Sequence, residues 1–254
     1  MIQNVRLQQF RSYQDASYEF EPGVNIVVGP NASGKTNLIE SLLVAGQGHS
    51  YRVNDRDLIQ HNKDWARVDV LYDGVPRAVK LRQDGRLEKR FVIAGEQRVR
   101  MAHNQVIPMV LFEPNHLQLF TQSPDLRRSY LDSVLAYTDP TYDTLAQTYR
   151  RALAQRNKLL TQPHTAPDMY FVWNVRLSEI GGQIAQRRAA FVREHQEAIQ
   201  AHYNRLVDVT HDVGVVYSSR LPLDNYNEHM LRELERVVET DRLRGFTSLG
   251  PHRD

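Results

Sequence analysis

The sequence predicts an α/β fold in two parts: a strand-rich part built around one glycine-rich strand-to-helix turn, and an inserted helical lobe. Three observations carry this. An apolar run at 24–28 leads into Gly29-Pro30-Asn31-Ala32-Ser33-Gly34-Lys35-Thr36, after which Leu38, Ile39, Leu42 and Leu43 recur at helical spacing. Between 66 and 100, short alternating runs are punctuated by glycine. From 123 to 211 the apolar period is that of helices, long enough for a projecting helical hairpin.

Taken in order, residues 2–8 alternate as a strand, Phe10-Arg11-Ser12-Tyr13 turns the chain, and Tyr18 and Phe20 resume the alternation before Pro22-Gly23. The run 24–28 reads as a buried strand, and 37–45 as a helix that Gly46 can end. Strands are expected at 67–72, 77–82, 89–93 and 97–100, with turns at Asp73-Gly74, Asp84-Gly85 and Gly95-Glu96, and a further apolar strand at 106–112 stopped by Glu113-Pro114. Ser123-Pro124-Asp125 caps a helix running to about 137. Asp139-Pro140 opens a second to about 161, 162–167 is a polar turn, and 168–211 is a long helix in which Gly181-Gly182 is a candidate kink. The chain then reads as strand at 213–218, helix at 224–241, and the start of a strand at 246–250. The expected domains are 1–122, a nucleotide-binding lobe; 123–211, a helical arm; and 212–254, a return toward the first lobe. Ending in Gly250-Pro251-His252-Arg253-Asp254, the sequence is expected to be a piece of a longer one.

The 254 residues are 41% hydrophobic and 24% charged, the balance of a globular protein with one large core or two modest ones. No apolar run approaches the roughly 18 residues of a membrane span, and the first residues are not a basic-then-apolar leader. Cysteine is absent. That excludes disulfides, thiolate zinc sites and cysteine nucleophiles, and makes a reducing cytoplasm the simplest location. A net charge of +2 does not argue for nucleic acid. The choice of base is more informative: of 32 basic residues only five are lysine, leaving 27 arginines, whose planar fork suits phosphate. Genomic base composition and surface salt bridges explain the same excess.

The turn at 29–36 fits G-x-x-x-x-G-K-[ST] without a mismatch and makes the fold class that of a P-loop NTPase. The glycines let the backbone wrap a phosphate with its N–H groups inward. Lys35 reaches the β and γ phosphates, Thr36 offers its hydroxyl to Mg2+, and the helix that follows directs its N-terminus at the anion. Asn31-Ala32-Ser33 also matches the N-glycosylation pattern, which a cytoplasmic phosphate loop overrides. A GTPase would carry an Asn-Lys-x-Asp reader. Asn62-Lys63-Asp64 has the wrong spacing and Asn157-Lys158-Leu159-Leu160 lacks the acid, so ATP is the expected nucleotide. His195 and His202 lack a third partner at zinc-ligand spacing, and no Ser-His-Asp arrangement is supported.

Several further strings, in order, resemble the RecF family of bacterial DNA replication and repair proteins, ABC-type ATPases related to SMC proteins. They are Leu7-Gln8-Gln9-Phe10-Arg11-Ser12-Tyr13, Asn37-Leu38-Ile39-Glu40 after the loop, Gly48-His49-Ser50-Tyr51-Arg52, and Leu111-Phe112-Glu113-Pro114. Ser123 to Asp132, Tyr149 to Leu160 and the closing Gly250-Pro251-His252-Arg253-Asp254 complete the series. The resemblance implies an ABC/SMC-like head, a mixed sheet around the P-loop helix with an inserted α-helical arm. It also implies binding of gapped or single-strand/double-strand junction DNA, an ATP-driven homodimer, slow hydrolysis, and work with RecO and RecR to load a recombinase. It places Arg11 and Ser12 near the nucleotide and Glu113 in a segment that senses Mg2+ and water; Asn37, next after the loop, is a further candidate for nucleotide binding. The family's signature, Walker B pair and switch histidine follow the closing string, so hydrolysis by these 254 residues is not expected. A non-hydrolysing nucleotide-binding scaffold, or a fragment of another SMC-like ATPase, is the rival reading. Candidate DNA contacts are Arg52, Arg127, Arg128, Arg150 and Arg151, with Arg156, Lys158 and Arg187-Arg188 on similar helix faces; for each, a solvated surface is the plainer alternative. Tyr170, Phe171 and Trp173 read as packing rather than base-stacking residues.

Overall fold

In the computed structural model, residues 1–121, 123–162, 166–207 and 211–254 are described. Parts of three expectations lie outside them: the lobe boundary at 122, residues 163–165 of the 162–167 turn, and residues 208–210 of the long helix. The chain divides into two compact units, Met1–Phe112 and Glu113–Asp254.

In the first unit, alternation decides which sheet face is buried. Along β1 (Ile2–Phe10), Val5 and Leu7 are enclosed while Asn4 and Arg6 face outward. Phe10 pairs with Tyr13, so Arg11 and Ser12 form the two-residue turn into β2 (Tyr13–Glu19). After the helix α1 (Lys35–Gln47) come β3 (Trp65–Tyr72), β4 (Val75–Asp84), β5 (Arg86–Ile93) and β6 (Glu96–Arg98). Together they make one sheet in the order β2-β1-β3-β4-β5-β6, every pairing antiparallel. Asp73-Gly74 forms a turn with both residues left-handed, which matches the strand twist. The β5–β6 turn is Ala94-Gly95, one residue earlier than expected, because Ile93 pairs with Glu96.

α1 lays Leu38, Val44 and Ala45 against the inner face, among Val5, Leu7, Phe10, Val68 and Val79. It ends at Gly48, left-handed at φ 85, whose N–H bonds the Val44 carbonyl. Gly46 does not end the helix. It lies inside it, where any Cβ would meet Met109 and Ile107.

Three sequence-predicted strands are not strands here: 24–28, 106–112 and 213–218. Val24, Ile26 and Val28 are 90%, 80% and 83% exposed, and Val110 and Val216 are equally open. An apolar run gives a segment the capacity to sit in a sheet, but a strand needs a neighbouring strand for its backbone groups, and among the described residues no strand pairs with these runs; instead the Ile107 N–H bonds the Gly46 carbonyl, and the N–H groups of Val213 and Val215 bond the side chains of Gln200 and Gln196. The mixed sheet expected around the P-loop helix is therefore present in its antiparallel part. Residues 246–250, also expected to begin a strand, are irregular.

The second unit is helical: α2 (Gln118–Thr121), α3 (Pro124–Thr138), α4 (Tyr142–Leu160), α5 (Pro167–Leu206), α6 (Tyr226–Arg236) and α7 (Val238–Arg244). α4 and α5 form the long hairpin that the apolar period announced. α5 stops at Leu206, and the helix expected at 224–241 is divided at Val237. α5 runs unbroken through Gly181-Gly182. Those glycines serve close approach instead, since a Cβ on Gly181 would lie 2.8 Å from Met230 Sδ and one on Gly182 3.2 Å from Asn227 Cβ. Leu177, Ile180 and Ile184 of α5 share a core with Tyr142, Tyr149, Tyr226, Met230 and Leu234, and Leu249 packs on it.

Candidate functional site

The phosphate loop meets α1 at Gly34, the residue on which the geometry turns. Its φ is 98, and a Cβ there would lie 2.9 Å from both Ser12 Oγ and the Tyr13 hydroxyl, so neither the backbone nor the space admits a side chain. Ala32, left-handed at φ 66, completes the bend. The first helical hydrogen bond runs from the Leu38 N–H to the Gly34 carbonyl at 3.0 Å, which leaves the amides of Lys35, Thr36 and Asn37 at an uncapped helix N-terminus. No acidic side chain occupies that first turn. The result is a positive dipole end with three donors, suited to an anion. Lys35 folds over the loop, its Nζ donating to the carbonyls of Gly29 at 2.8 Å and Pro30 at 2.7 Å. Thr36 is exposed at the same end and could hold Mg2+ through its hydroxyl.

The β1–β2 turn buttresses the loop. The Tyr13 hydroxyl donates to the Gly34 carbonyl at 3.1 Å, and burial, with Tyr18 alongside, pushes that phenol up to about 12. Asn37 Nδ2 donates to Ser12 Oγ at 2.9 Å. Arg11, Ser12 and Asn37 line an open pocket of about 620 Å³ together with Arg56, Asp57 and residues 59–63. Behind them sits Glu40, fully buried on α1 and paired with both Arg11 and Arg52. Burial pushes the Glu40 carboxyl up, but the hydrogen bonds from Arg52 and Ser50, with the charges of Arg11 and Arg52, more than offset it and hold it below the usual carboxylate range.

Residues 4–130 match a family described as an AAA domain. A DNA replication and repair protein RecF of Halalkalibacterium halodurans is 32% identical over 266 residues, an alignment that takes in all of this chain and 71% of the relative. The chain belongs to the RecF family. The RecF of Symbiobacterium thermophilum is 30% identical, with 70% of its length covered. Solved structures of the recombination mediator protein RecF with ATPrS and with ATP, in the RecFOR pathway, align with TM-scores of 0.82 and 0.80. Both are 21% identical to this chain, cover all of it, and span 71% and 72% of their own chains. At that identity the likeness shows the RecF-type P-loop fold.

The structure thus places the Arg11-Ser12-Tyr13 turn against Gly34, Asn37 and Glu40. It also brings in Arg52, which is exposed and donates to Glu40 and to Asn37 Oδ1. The other candidates belong to the second unit. Glu113 opens it, its N–H bonded to His116 Nδ1. Arg127 is exposed and donates to the Leu119 carbonyl. Arg128 is committed to Asp125 and to the Asp254 carbonyl at 2.6 Å. Arg150 and Arg151 are exposed on α4. Arg156, read with them as one basic run, is fully buried against Asp241, Asn174 and Thr247. Arg187 and Arg188 pair with Asp139 and Asp132. Tyr170 is buried and donates to the Leu159 carbonyl, and Trp173 packs beside it, but Phe171 is exposed. Among the described residues there is no group of three His, Cys, Asp or Glu placed for a metal ion, and no helix long and apolar enough to cross a membrane.

Sequence reasoning missed Glu40 as part of the site. An acid among Leu38, Ile39, Leu42 and Leu43 was a signal: a carboxylate on the buried face of a helix requires a cationic partner.

Proposed function

We propose that this chain is an ATP-gated DNA-binding protein of replication and repair. The observation that carries the reading is the complete phosphate loop at the uncapped N-terminus of α1. The backbone N–H groups of the loop and of the first turn of α1, with the Lys35 ammonium, would hold the triphosphate, and Thr36 would hold Mg2+. Bound Mg2+ supplies charge neutralisation at the phosphates. The pocket beside Arg11 and Ser12 would take the nucleoside. ATP would bring two copies together in a cytoplasmic homodimer.

We extend the reading, on the RecF resemblance, to DNA binding at a gap or a single-strand/double-strand junction and to work with RecO and RecR in loading a recombinase; the names of the relatives support a role in DNA replication and repair. Two features of the chain favour a polyanion. Arg150 and Arg151 are exposed on α4, in a stretch from 144 to 167 without an acid. Arg67, Lys80 and Arg90 lie directly opposite one another on β3, β4 and β5, a like-charge row that works against sheet pairing, although Asp69 and Glu88 offset its ends. A phosphate backbone across the row would relieve it.

Titration calorimetry with Mg-ATP and sedimentation with and without ATP test the reading. ATP binds and promotes dimers in the wild type, and Lys35→Ala abolishes both; unchanged dimerisation in the variant counts against it. Single-turnover assays separate the gated ATPase from a scaffold that binds without turnover, since Lys35-dependent product formation removes the scaffold.

A further inference from the structure

We infer that Glu40 is a positioning residue for the nucleotide site, holding Arg11 and Arg52 in place beside the phosphate-loop helix; the inference rests on the ATP-binding reading above.

Glu40 is 0% exposed, and a carboxylate so enclosed persists only when it is paired and hydrogen-bonded. Three side chains hold it. Ser50 Oγ donates at 2.5 Å, Arg52 donates through Nε at 3.3 Å and Nη2 at 3.0 Å, and Arg11 Nε lies 3.1 Å away. The Arg11 N–H is not aimed at the oxygen, so that contact is an ion pair without an aligned hydrogen bond. Both guanidiniums face outward, Arg11 and Arg52 being 24% and 33% exposed while their shared partner is sealed in. They are also placed at the site: Arg52 Nη2 reaches Asn37 Oδ1 at 2.8 Å, Asn37 reaches Ser12, and Arg11, Ser12 and Asn37 line the same pocket.

The backbone gives a second, independent argument. Arg11 sits at φ 55, in the left-handed region that a long side chain rarely adopts. A hairpin turn on its own would take glycine or asparagine there. Instead the position carries an arginine fixed at three points: its N–H on the Leu58 carbonyl at 2.9 Å, its Nη1 on the Asp57 carbonyl at 2.9 Å, and Glu40. Strain held by so many contacts belongs to sites where a side chain must be aimed.

The test uses the 254-residue chain and calorimetric titration of Mg-ATP, with Lys35→Ala as the control for the site itself. Glu40→Gln keeps the size and removes the charge. It is expected to weaken ATP binding about tenfold, as is Arg52→Gln, and the double variant is expected to lose no more than about twentyfold, because both substitutions break one unit. A merely structural Glu40 gives a loss that multiplies with that of Arg52→Gln, to about a hundredfold, and this outcome overturns the inference. So does a folded Glu40→Gln that binds within twofold of the wild type while Lys35→Ala does not bind, a result that leaves the ATP reading standing. A wild type that fails to bind overturns both. Should Glu40→Gln not fold, Ser50→Ala removes one donor from the same carboxylate and is expected to weaken ATP binding about threefold; unchanged affinity there overturns the inference.

Discussion

The two units bury their charges in opposite ways. In the second, Arg156 and Asp241 are both 0% exposed, and the guanidinium also reaches Asn174, Thr247 and the Leu234 carbonyl. Arg188 is likewise enclosed by Asp132, Tyr142 and the Pro251 carbonyl. These networks are closed: their donors end on groups of the same unit, so they orient helices against one another and leave nothing for a ligand. In the first unit the Glu40 carboxylate is sealed while Arg11 lines a pocket and Arg52 reaches Asn37, another of its lining residues. Similar chemistry thus serves architecture in one unit and, on our reading, recognition in the other. What separates the two is which partner remains accessible.

The largest effect that would sharpen the contrast is on the closed side. Arg156→Ala leaves Asp241 buried without its cation and should lower the stability of the second unit by about 3–5 kcal/mol in a denaturant titration, while ATP affinity of the folded fraction is unchanged. A weaker ATP site in that variant would break the division of labour.

Acid comes next. The His252 Nε2 faces the Thr247 carbonyl at 3.1 Å, which can only accept, so Nε2 carries the proton and Nδ1 accepts the Tyr149 hydroxyl at 2.8 Å. Burial pushes this imidazole down to about 4; the Thr247 carbonyl and Asp254 oppose the shift, and Arg253 and Arg128 add to it. The unfolded chain takes up the proton near pH 6.5 and the folded one only near 4, so the native state is favoured fully above about 6.5 and loses that contribution as pH falls toward 4. The expected loss is on the order of 2–3 kcal/mol, and His252→Gln should flatten this part of the pH–stability curve. No flattening would show that His252 is not the titrating group.

On the open side, Tyr13→Phe removes one hydrogen bond to the Gly34 carbonyl and should cost about 0.5–1.5 kcal/mol of stability, with a matching or smaller loss of ATP affinity. Smallest in free energy is the surface. Replacing both Arg150 and Arg151 with alanine should leave stability within about 0.5 kcal/mol and reduce the salt slope of DNA binding by about two. An unchanged slope removes α4 from the DNA-binding surface.

Much of this was legible in the sequence because it is local. The period of α4 and α5, the turn at Asp73-Gly74 and the whole of 29–36 follow from residues a few positions apart. Arg150 and Arg156 could not be told apart that way: both sit on one amphipathic helix, and only the approach of Asp241 and Thr247, some 85 to 91 positions away, buries one of them. Gly46 and Gly181 read as a stop and a kink because local sequence does not reveal what packs against a helix.

By itself the sequence determined the anion-binding loop, the helices and the antiparallel hairpins, since hydrogen bonds between near neighbours satisfy their backbones. Tertiary structure alone decided that 24–28 and 213–218 lie outside the sheet, which arginines are sealed in and which stay accessible, and that Glu40 joins Arg11 to Arg52. Those outcomes depend on partners distant along the chain, and no pattern within a single segment encodes who the partner will be.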